Sequence, residues 1–291
     1  MKEIKILSSK NYTNSESVNY GDCILINTGS ELIIYDCGSE DHANRVIDYM
    51  KKNNFNKAKF ILSHNDKDHF EGIQKLLQED KITEIRTTLL LKYKDDILKR
   101  IDDKRKTRNS VSKNILESYN NIASLSGAPI FDIYEETDPL CSEVSIVGPD
   151  KDYMLDTVAK RLDGREGDTM DGETAINATS IQVEVKIDNY KLLLCGDCSY
   201  ASIEDKVYNY DAVQLPHHGK QKQAEKIFEK KANQIKTIYI VSDNTGNTNG
   251  GSDNLNSKGH RVLNTKNSSD ITINFATFSS STIKTGRALG I

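Results

Sequence analysis

Two imidazoles and two carboxylates fall within six consecutive positions in His64-Asn65-Asp66-Lys67-Asp68-His69, directly after the apolar run Phe60-Ile61-Leu62. Imidazole with carboxylate suits zinc, manganese or iron, and a larger share of carboxylate moves the preference towards harder ions. A helix would scatter these spacings over several faces, whereas a tight loop folds all four side chains around one point. Four ligand-type groups in so short a loop are read as a metal site and not as a solvated polar turn.

Other apolar runs end the same way. Asp36 follows Leu32-Tyr35, Gly196-Asp197 follows Lys191-Cys195, and Pro216-His217-His218-Gly219 follows Val213-Leu215. A lone Asp or His at a strand end is usually structural, but four such ends point to one shared site, because binding sites of layered α/β folds collect at strand carboxyl ends. Asp243 and Asn244 close the run Thr237-Val241 and are expected in the wall of that site. His260 follows a long Asn/Gly/Ser-rich stretch, Thr245 to Lys258, and is read either as swinging towards the site or as a surface residue. His42 is read as surface. Cys195 and Cys198 have redox spacing, but five cysteines in all are an odd number and form no disulfide framework.

The elements that must carry these residues read as β-prone runs at Ile4-Leu7, Cys23-Ile26, Leu32-Tyr35, Phe60-Leu62 and Ile85-Leu91. A helix is expected at His42-Lys52, and another after the metal loop, where Phe70, Ile73, Leu76 and Leu77 repeat at helical spacing. A second series of strands is expected at Ile130-Tyr134, Glu143-Val147, Ile181-Ile187, Tyr190-Cys195, Ala212-Leu215 and Thr237-Val241. Strand pairs with interspersed helices predict an α/β fold of two sheets with helices outside.

Between the two series, residues 92 to about 126 are charged and helical in pattern, with nine basic against four acidic residues from Lys92 to Lys113. Such a segment is either a solvated, ion-paired helix face or an arm that holds a polyanion near the metal. The chain of 291 residues carries a net charge of -4, with 28% charged residues and a mean hydropathy of -0.59. One large domain, 1-291, with the charged insertion inside it, accounts for that length. No apolar run reaches the roughly 20 residues of a membrane helix, so no membrane association is expected. The first residues contain no signal-peptide core, and a cytoplasmic location is expected.

The set Asp36, His64 to His69, Gly196-Asp197 and Pro216-His217-His218-Gly219 resembles the metallo-β-lactamase superfamily. Within it the chain is most similar to the branch of the hydrolase domain of the DNA-uptake protein ComEC, whose opening motif reads like Gly21-Asp22-Cys23-Ile24-Leu25-Ile26 here. Asn177-Ala178-Thr179-Ser180 belongs to the same likeness, and residues 92-126 match least. The chain looks like a free-standing relative. The resemblance implies a four-layer αββα metallo-β-lactamase sandwich with one or two divalent metal ions, zinc or manganese, between the sheet edges. It implies His64, Asp66, Asp68 and His69 as metal groups, Asp197 as a bridging carboxylate, and Asp36 as a support for the His loop. Of His217 and His218, one ligates metal and the other faces substrate or supports the ligands from behind.

Two departures from the family pattern bear on the metals. Asp66 stands where the commonest loop has a second histidine, which brings manganese level with zinc. No histidine precedes Asp197 at the place where many members supply a ligand; Asn177 or Ser180 occupies that area, and one metal position is expected to be weak or empty. The implied chemistry is attack by a metal-activated water. Asp68 orients the water or accepts its proton, and His217 or His218 protonates the leaving group. Lys220, Lys222 and Lys226 attract phosphate oxygens. The expected function is a phosphodiesterase or nuclease acting on nucleic acid or another phosphodiester. The alternatives are a hydrolase of a small ester, thioester or amide, and a binding or sensor protein of weakened activity.

Overall fold

A computed structural model describes residues 2–10, 12, 21–118, 122, 125–164, 169–243, 251–267, 269–275 and 284–285. In chain order the strands are β1 (Glu3–Ile6), β2 (Cys23–Asn27), β3 (Leu32–Cys37), β4 (Ala58–Ile61), β5 (Ile82–Thr87), β6 (Ile130–Asp132), β7 (Val144–Gly148), β8 (Thr169–Met170), β9 (Glu173–Thr174), β10 (Gln182–Ile187), β11 (Tyr190–Leu194), β12 (Ala212–Gln214), β13 (Ile238–Val241), β14 (Arg261–Asn264), β15 (Ile271–Asn274) and β16 (Lys284–Thr285). The helices are α1 (Glu40–Asn53), α2 (Lys67–Phe70), α3 (Ile73–Gln78), α4 (Lys94–Arg100), α5 (Arg108–Ser118), α6 (Lys151–Asp163), α7 (Ala175–Ala178) and α8 (Gln221–Lys230), and a tight turn at Pro216–Gly219 holds His217 and His218 in left-handed backbone.

One sheet runs β16-β15-β1-β2-β3-β4-β5-β6 and the other β14-β13-β12-β11-β10-β7, with β8 and β9 forming a separate hairpin. Side chains that alternate along each strand explain the layering. Ile24, Ile26, Ile33 and Tyr35 of the first sheet meet Leu192, Leu194, Ile238 and Ile240 of the second in the core between the sheets. Leu25, Ile34 and Phe60 point the other way, towards Val46, Met50, Ile73 and Leu76 of α1 and α3. Leu193, Val213 and Tyr239 likewise cover Ala224, Ile227 and Phe228 of α8. Strands buried on both faces, with helices outside, make the expected four-layer sandwich.

Strand directions bring the chemistry to one edge. β3, β4 and β5 are parallel, as are β11, β12 and β13. The carboxyl ends of β3, β4, β11, β12 and β13 therefore deliver Asp36, His64, Asp197, His217 with His218, and Ser242. The loop after β4 is stitched to the second sheet where the Ile181 N–H donates to the Ser63 carbonyl at 3.0 Å.

Two expectations need correction. The strand expected to reach Leu91 ends at Thr87, and Leu90–Tyr93 is a short 3-10 helix leading into the insertion. There Tyr93, Ile97, Val111 and Ile115 bury against Met154, Leu155 and Val158 of α6. The basic excess of that segment is largely consumed by ion pairs. Acids outside the Lys92-Lys113 stretch do this, Arg100 meeting Asp152 and Asp156, Lys92 meeting Glu135 and Lys113 meeting Glu117, while Arg105 and Arg108 pair within it with Asp103 and Asp95. His42 is not a surface residue: it is fully buried, with Val46 and Met50 on the same face of α1. Among the described residues no helix is long and apolar enough to cross a membrane.

Burial, reinforced by Arg45, pushes the His42 imidazole from its ordinary 6.5 down to about 3. The unfolded chain protonates His42 below about pH 6.5 while the folded chain does not, so its contribution to stability is lost as pH falls between these two values. His42→Gln is expected to remove from the stability profile a slope of about 1.4 kcal/mol per pH unit in that window. Urea unfolding of both proteins from pH 7 to 3 measures it; parallel profiles would mean that His42 titrates alike in both states.

Candidate metal centre

The loop after β4 rests on Asp36, a residue of β3 with left-handed backbone whose carboxylate holds Ser63 and His69. Its Oδ1 accepts from the Ser63 N–H at 2.7 Å and its Oδ2 from the Ser63 hydroxyl at 2.6 Å. Oδ2 also meets His69 Nδ1 at 2.8 Å. A carboxylate only accepts, so Nδ1 of His69 carries the proton. The Ser63 hydroxyl has spent its own proton on Asp36, and its oxygen lies 2.9 Å from His64 Nδ1, which therefore donates to it. His218 Nδ1 lies 3.0 Å from the Ser242 carbonyl, and His217 Nδ1 meets Glu173 Oε2. All four imidazoles are thus held through Nδ1–H and present Nε2 inward, the tautomer that metal ligation requires.

The inward atoms converge. His69 Nε2 is 3.4 Å from Asp197 Oδ1, His218 Nε2 is 3.1 Å from Asp68 Oδ2, and His64 Nε2 is 3.7 Å from Asp66 Oδ2. Asp197 Oδ2 lies 3.9 Å from His64 Nε2 and 3.8 Å from His218 Nε2. Ligand atoms ~2.0–2.2 Å from a common tetrahedral ion stand ~3.4 Å apart, so these separations suit divalent cations. The buried His64 Nε2, His69 Nε2 and Asp197 Oδ1 make no hydrogen bond among the described residues. Two overlapping groups, His64-His69-Asp197 and Asp68-His69-His218, can each hold an ion; both count the single inward nitrogen of His69, which binds one ion at a time, so beside an ion on Asp68, His69 and His218 a second would rest on His64, Asp66 and Asp197. The donor set therefore fits one or two divalent cations.

Electrostatics point the same way. Burial disfavours the Asp197 carboxylate, yet His218, His69 and His217 together hold its pKa well below the usual range. Burial likewise opposes charge on His69 and His218, but Asp197 raises both, helped by Asp68 and Asp36 at His69 and by Asp22 at His218. Burial pushes Asp68 up, and His69 and His218 more than reverse it. Without metal, imidazole protons supply the positive charge that these carboxylates demand.

The sequence-predicted residues divide clearly. His64, Asp66, Asp68, His69, Asp197 and His218 come together, Asp66 at the rim with its side chain 40% exposed. His217 stands beside them, its Nε2 3.9 Å from Asp197 Oδ2, and at 28% its side chain is far more exposed than that of His218. Asn177 donates to Asp197 Oδ2 at 3.4 Å, and the Ser180 hydroxyl accepts from the Asp197 N–H at 3.3 Å while lying 3.2 Å from His64 Nδ1. Asp243 is fully buried and accepts from the Ser252 N–H at 2.9 Å, so it anchors a loop and does not line the site. His260 stacks on Phe228 at 4.6 Å, on the face of the second sheet covered by α8. Asn244 lies outside the described residues. Lys220 pairs with Glu173 at 2.9 Å and donates to the Gly172 carbonyl at 2.8 Å, while Lys226 pairs with Asp171. These two lysines hold the β8–β9 hairpin, which accounts for their charge without a phosphate.

Asp22 and Glu173 are the groups that spacing did not reveal. Glu173 is buried, with Oε2 on His217 and Oε1 accepting from Gln223 Nε2 at 3.0 Å. Asp22 lies beside His218, where Gly21 and Gly38 bring three backbone segments together. A Cβ on Gly38 would fall 1.7 Å from the Asp68 carbonyl oxygen and 2.3 Å from Gly21 Cα. Gly38→Ala is accordingly expected to cost about 3 kcal/mol or more and to weaken cation binding by displacing Asp68. A urea midpoint and zinc affinity equal to the wild type would overturn this.

A family model described as Metallo-beta-lactamase superfamily matches residues 17–241. No curated protein matches the chain. Among solved structures it is similar to the metallo-beta-lactamase fold protein YhfI from Bacillus subtilis, at 12% identity and a TM-score of 0.51, over 94% of this chain and 99% of that one. It is also similar to Tm1679, described as a metal-dependent hydrolase of the beta-lactamase superfamily, at 14% identity and a TM-score of 0.50, over 91% and 96% of the two chains. At such identities these two likenesses bear on the fold alone.

Proposed function

The chain belongs to the metallo-β-lactamase superfamily, and from that premise we propose that it is a metal-dependent hydrolase of phosphodiesters. The observation that carries this reading is the position of His217. It stands outside the two ion-holding groups that include His69, with Nδ1 fixed by Glu173, Nε2 turned to the centre and its side chain 28% exposed. An imidazole so placed suits proton donation to a leaving oxygen, which an alkoxide departing from phosphorus requires.

Divalent cations, zinc or manganese, would be held by His64, Asp66, Asp68, His69, Asp197 and His218; when bound they polarise a substrate oxygen and lower the pKa of water. The chain's own residues set the rest. Asp36 fixes His69, Ser63 and Ser180 contact His64 Nδ1, and Asn177 steadies the Asp197 carboxylate. Thr174 holds that amide in place by donating to Asn177 Oδ1 at 2.6 Å. The ComEC-like opening motif around Asp22 is further support for phosphodiester chemistry.

Short diesters fit better than long nucleic acid, because the basic segment is largely paired and Lys220 and Lys226 are committed to the hairpin. Exchanging Lys104 and Lys106 for glutamine is then expected to leave kcat/KM for a short diester within about twofold; a large, salt-sensitive loss would instead indicate a nucleic-acid arm. The same paired lysines favour the second reading, hydrolysis of a carbonyl ester or thioester, where no phosphate charge needs balancing. A panel of bis-p-nitrophenyl phosphate, a dinucleotide, single- and double-stranded DNA, RNA and thioesters, with zinc or manganese and an Asp68→Ala control, decides. Turnover confined to carbonyl substrates rejects the phosphodiesterase.

A further inference from the structure

The Asp22 side chain is fully buried, and neither of its oxygens makes a hydrogen bond among the described residues. Burying a carboxylate in this way is costly unless a positive charge compensates it. The backbone is arranged to keep it there. The Asp22 N–H donates to the Asp68 carbonyl and the Asp22 carbonyl accepts from the Gly38 N–H, each at 3.0 Å. Its Oδ1 lies 3.3 Å from His218 Nδ1, and its carboxylate, Asp197 and His218 form a third group with ligand atoms within 4.8 Å of one another.

The imidazoles of the centre are consequently supported unequally. Asp36 accepts the Nδ1–H of His69, while the Nδ1–H of His218 goes to the Ser242 carbonyl with the Asp22 carboxylate 3.3 Å from the same nitrogen, so both imidazoles of the Asp68-His69-His218 group have a negative charge close behind Nδ1. Such a carboxylate raises the basicity of the inward nitrogen. His64 is contacted at Nδ1 by two hydroxyls instead, those of Ser63 and Ser180. Its neighbour Asp66 is the most exposed carboxylate of the set, and the other polar groups at that end, Asn177 and Ser180, are an amide and a hydroxyl bonded to Asp197.

We infer that the two cation positions differ in affinity and that Asp22, acting through His218, is the positioning residue that makes the Asp68-His69-His218 position the tight one. The inference rests on the metal centre of the proposed function and not on the substrate assigned to it. Its test reads binding, whereas the substrate panel reads turnover, so failure of one is distinct from failure of the other.

The full chain is stripped with a chelator and titrated calorimetrically with zinc. Wild type is expected to take up zinc in two steps separated by about tenfold or more in affinity. Asp22→Asn weakens the first step by about 10–100-fold and leaves the second essentially unchanged, while His64→Ala removes the second step and spares the first. Two ions bound with one affinity, a first step untouched by Asp22→Asn, or a first step lost in His64→Ala would each overturn the inference. A wild type that binds one ion supports it only if His64→Ala retains that ion. Should Asp22→Asn fail to fold by circular dichroism, Asp22→Ser takes its place, with the same loss expected at the first step and an unchanged first step overturning the inference.

Discussion

Asp197→Asn is expected to lower turnover by about 10³-fold or more without destabilising the metal-free protein. The substitution keeps shape and removes one charge from a carboxylate that faces His64, His69, His217 and His218 at 3.4–3.9 Å. Two opposing effects act on the metal-free fold. The imidazoles lose a partner, and breaking a buried pair outright costs about 3–5 kcal/mol. Here, however, Asp68 still faces His218, Asp36 still faces His69 and Asp22 remains beside His218, so no imidazolium is left alone. The crowding of Asp22, Asp36, Asp68 and Asp197 is relieved at the same time, and the relief roughly offsets the loss.

Metal separates the two proteins. A cation that binds only the folded state at about 100 times its Kd stabilises it by about 2.7 kcal/mol. The wild type should show such a rise in thermal midpoint when zinc is added, and Asp197→Asn a much smaller one. Loss of turnover together with a lower metal-free midpoint would instead point to a damaged fold. Activity within tenfold of wild type would remove Asp197 from the centre.

What was legible in the sequence was whatever chemistry lay close along the chain. His64 to His69 form one loop, and Gly196-Asp197 and Pro216 to Gly219 directly follow strands whose residues are buried on both faces, so ligand type and element end coincided. The two-sheet layout followed from the same runs. Asp22 and Glu173 were illegible as site residues because each meets its partner, His218 or His217, only through the folding of distant segments. Glu173 sits moreover in a two-residue strand that no apolar pattern marks. Lys220 and Lys226 misled for the converse reason, since a lysine bonded to Glu173 or Asp171 looks in sequence like one awaiting phosphate. His42 carried a usable signal: it shares the spacing of Val46 and Met50, which puts it on the buried face of α1.

His217→Ala is expected to retain the bound cations and to lower kcat about 10²–10³-fold for a phosphodiester with an alkyl alcohol leaving group, but far less for a p-nitrophenyl diester. The difference follows from what the two leaving groups need. An alkoxide must be protonated as it departs, whereas p-nitrophenolate leaves as a stable anion and gains little from a donor. Glu173→Gln should reproduce the pattern at about 10–100-fold, because an amide oxygen still accepts from Nδ1–H but no longer stabilises positive charge on the ring. Glu173→Asp tests reach: its shorter side chain keeps the charge but withdraws it from His217, so it should recover little of the alkyl-diester rate if contact matters and most of it if charge alone does. Metal analysis gives the first check, since His217→Ala losing an ion would make His217 a ligand. The leaving-group comparison gives the second. Equal losses on both diesters would leave His217 an orienting or binding residue with no part in protonating the leaving group.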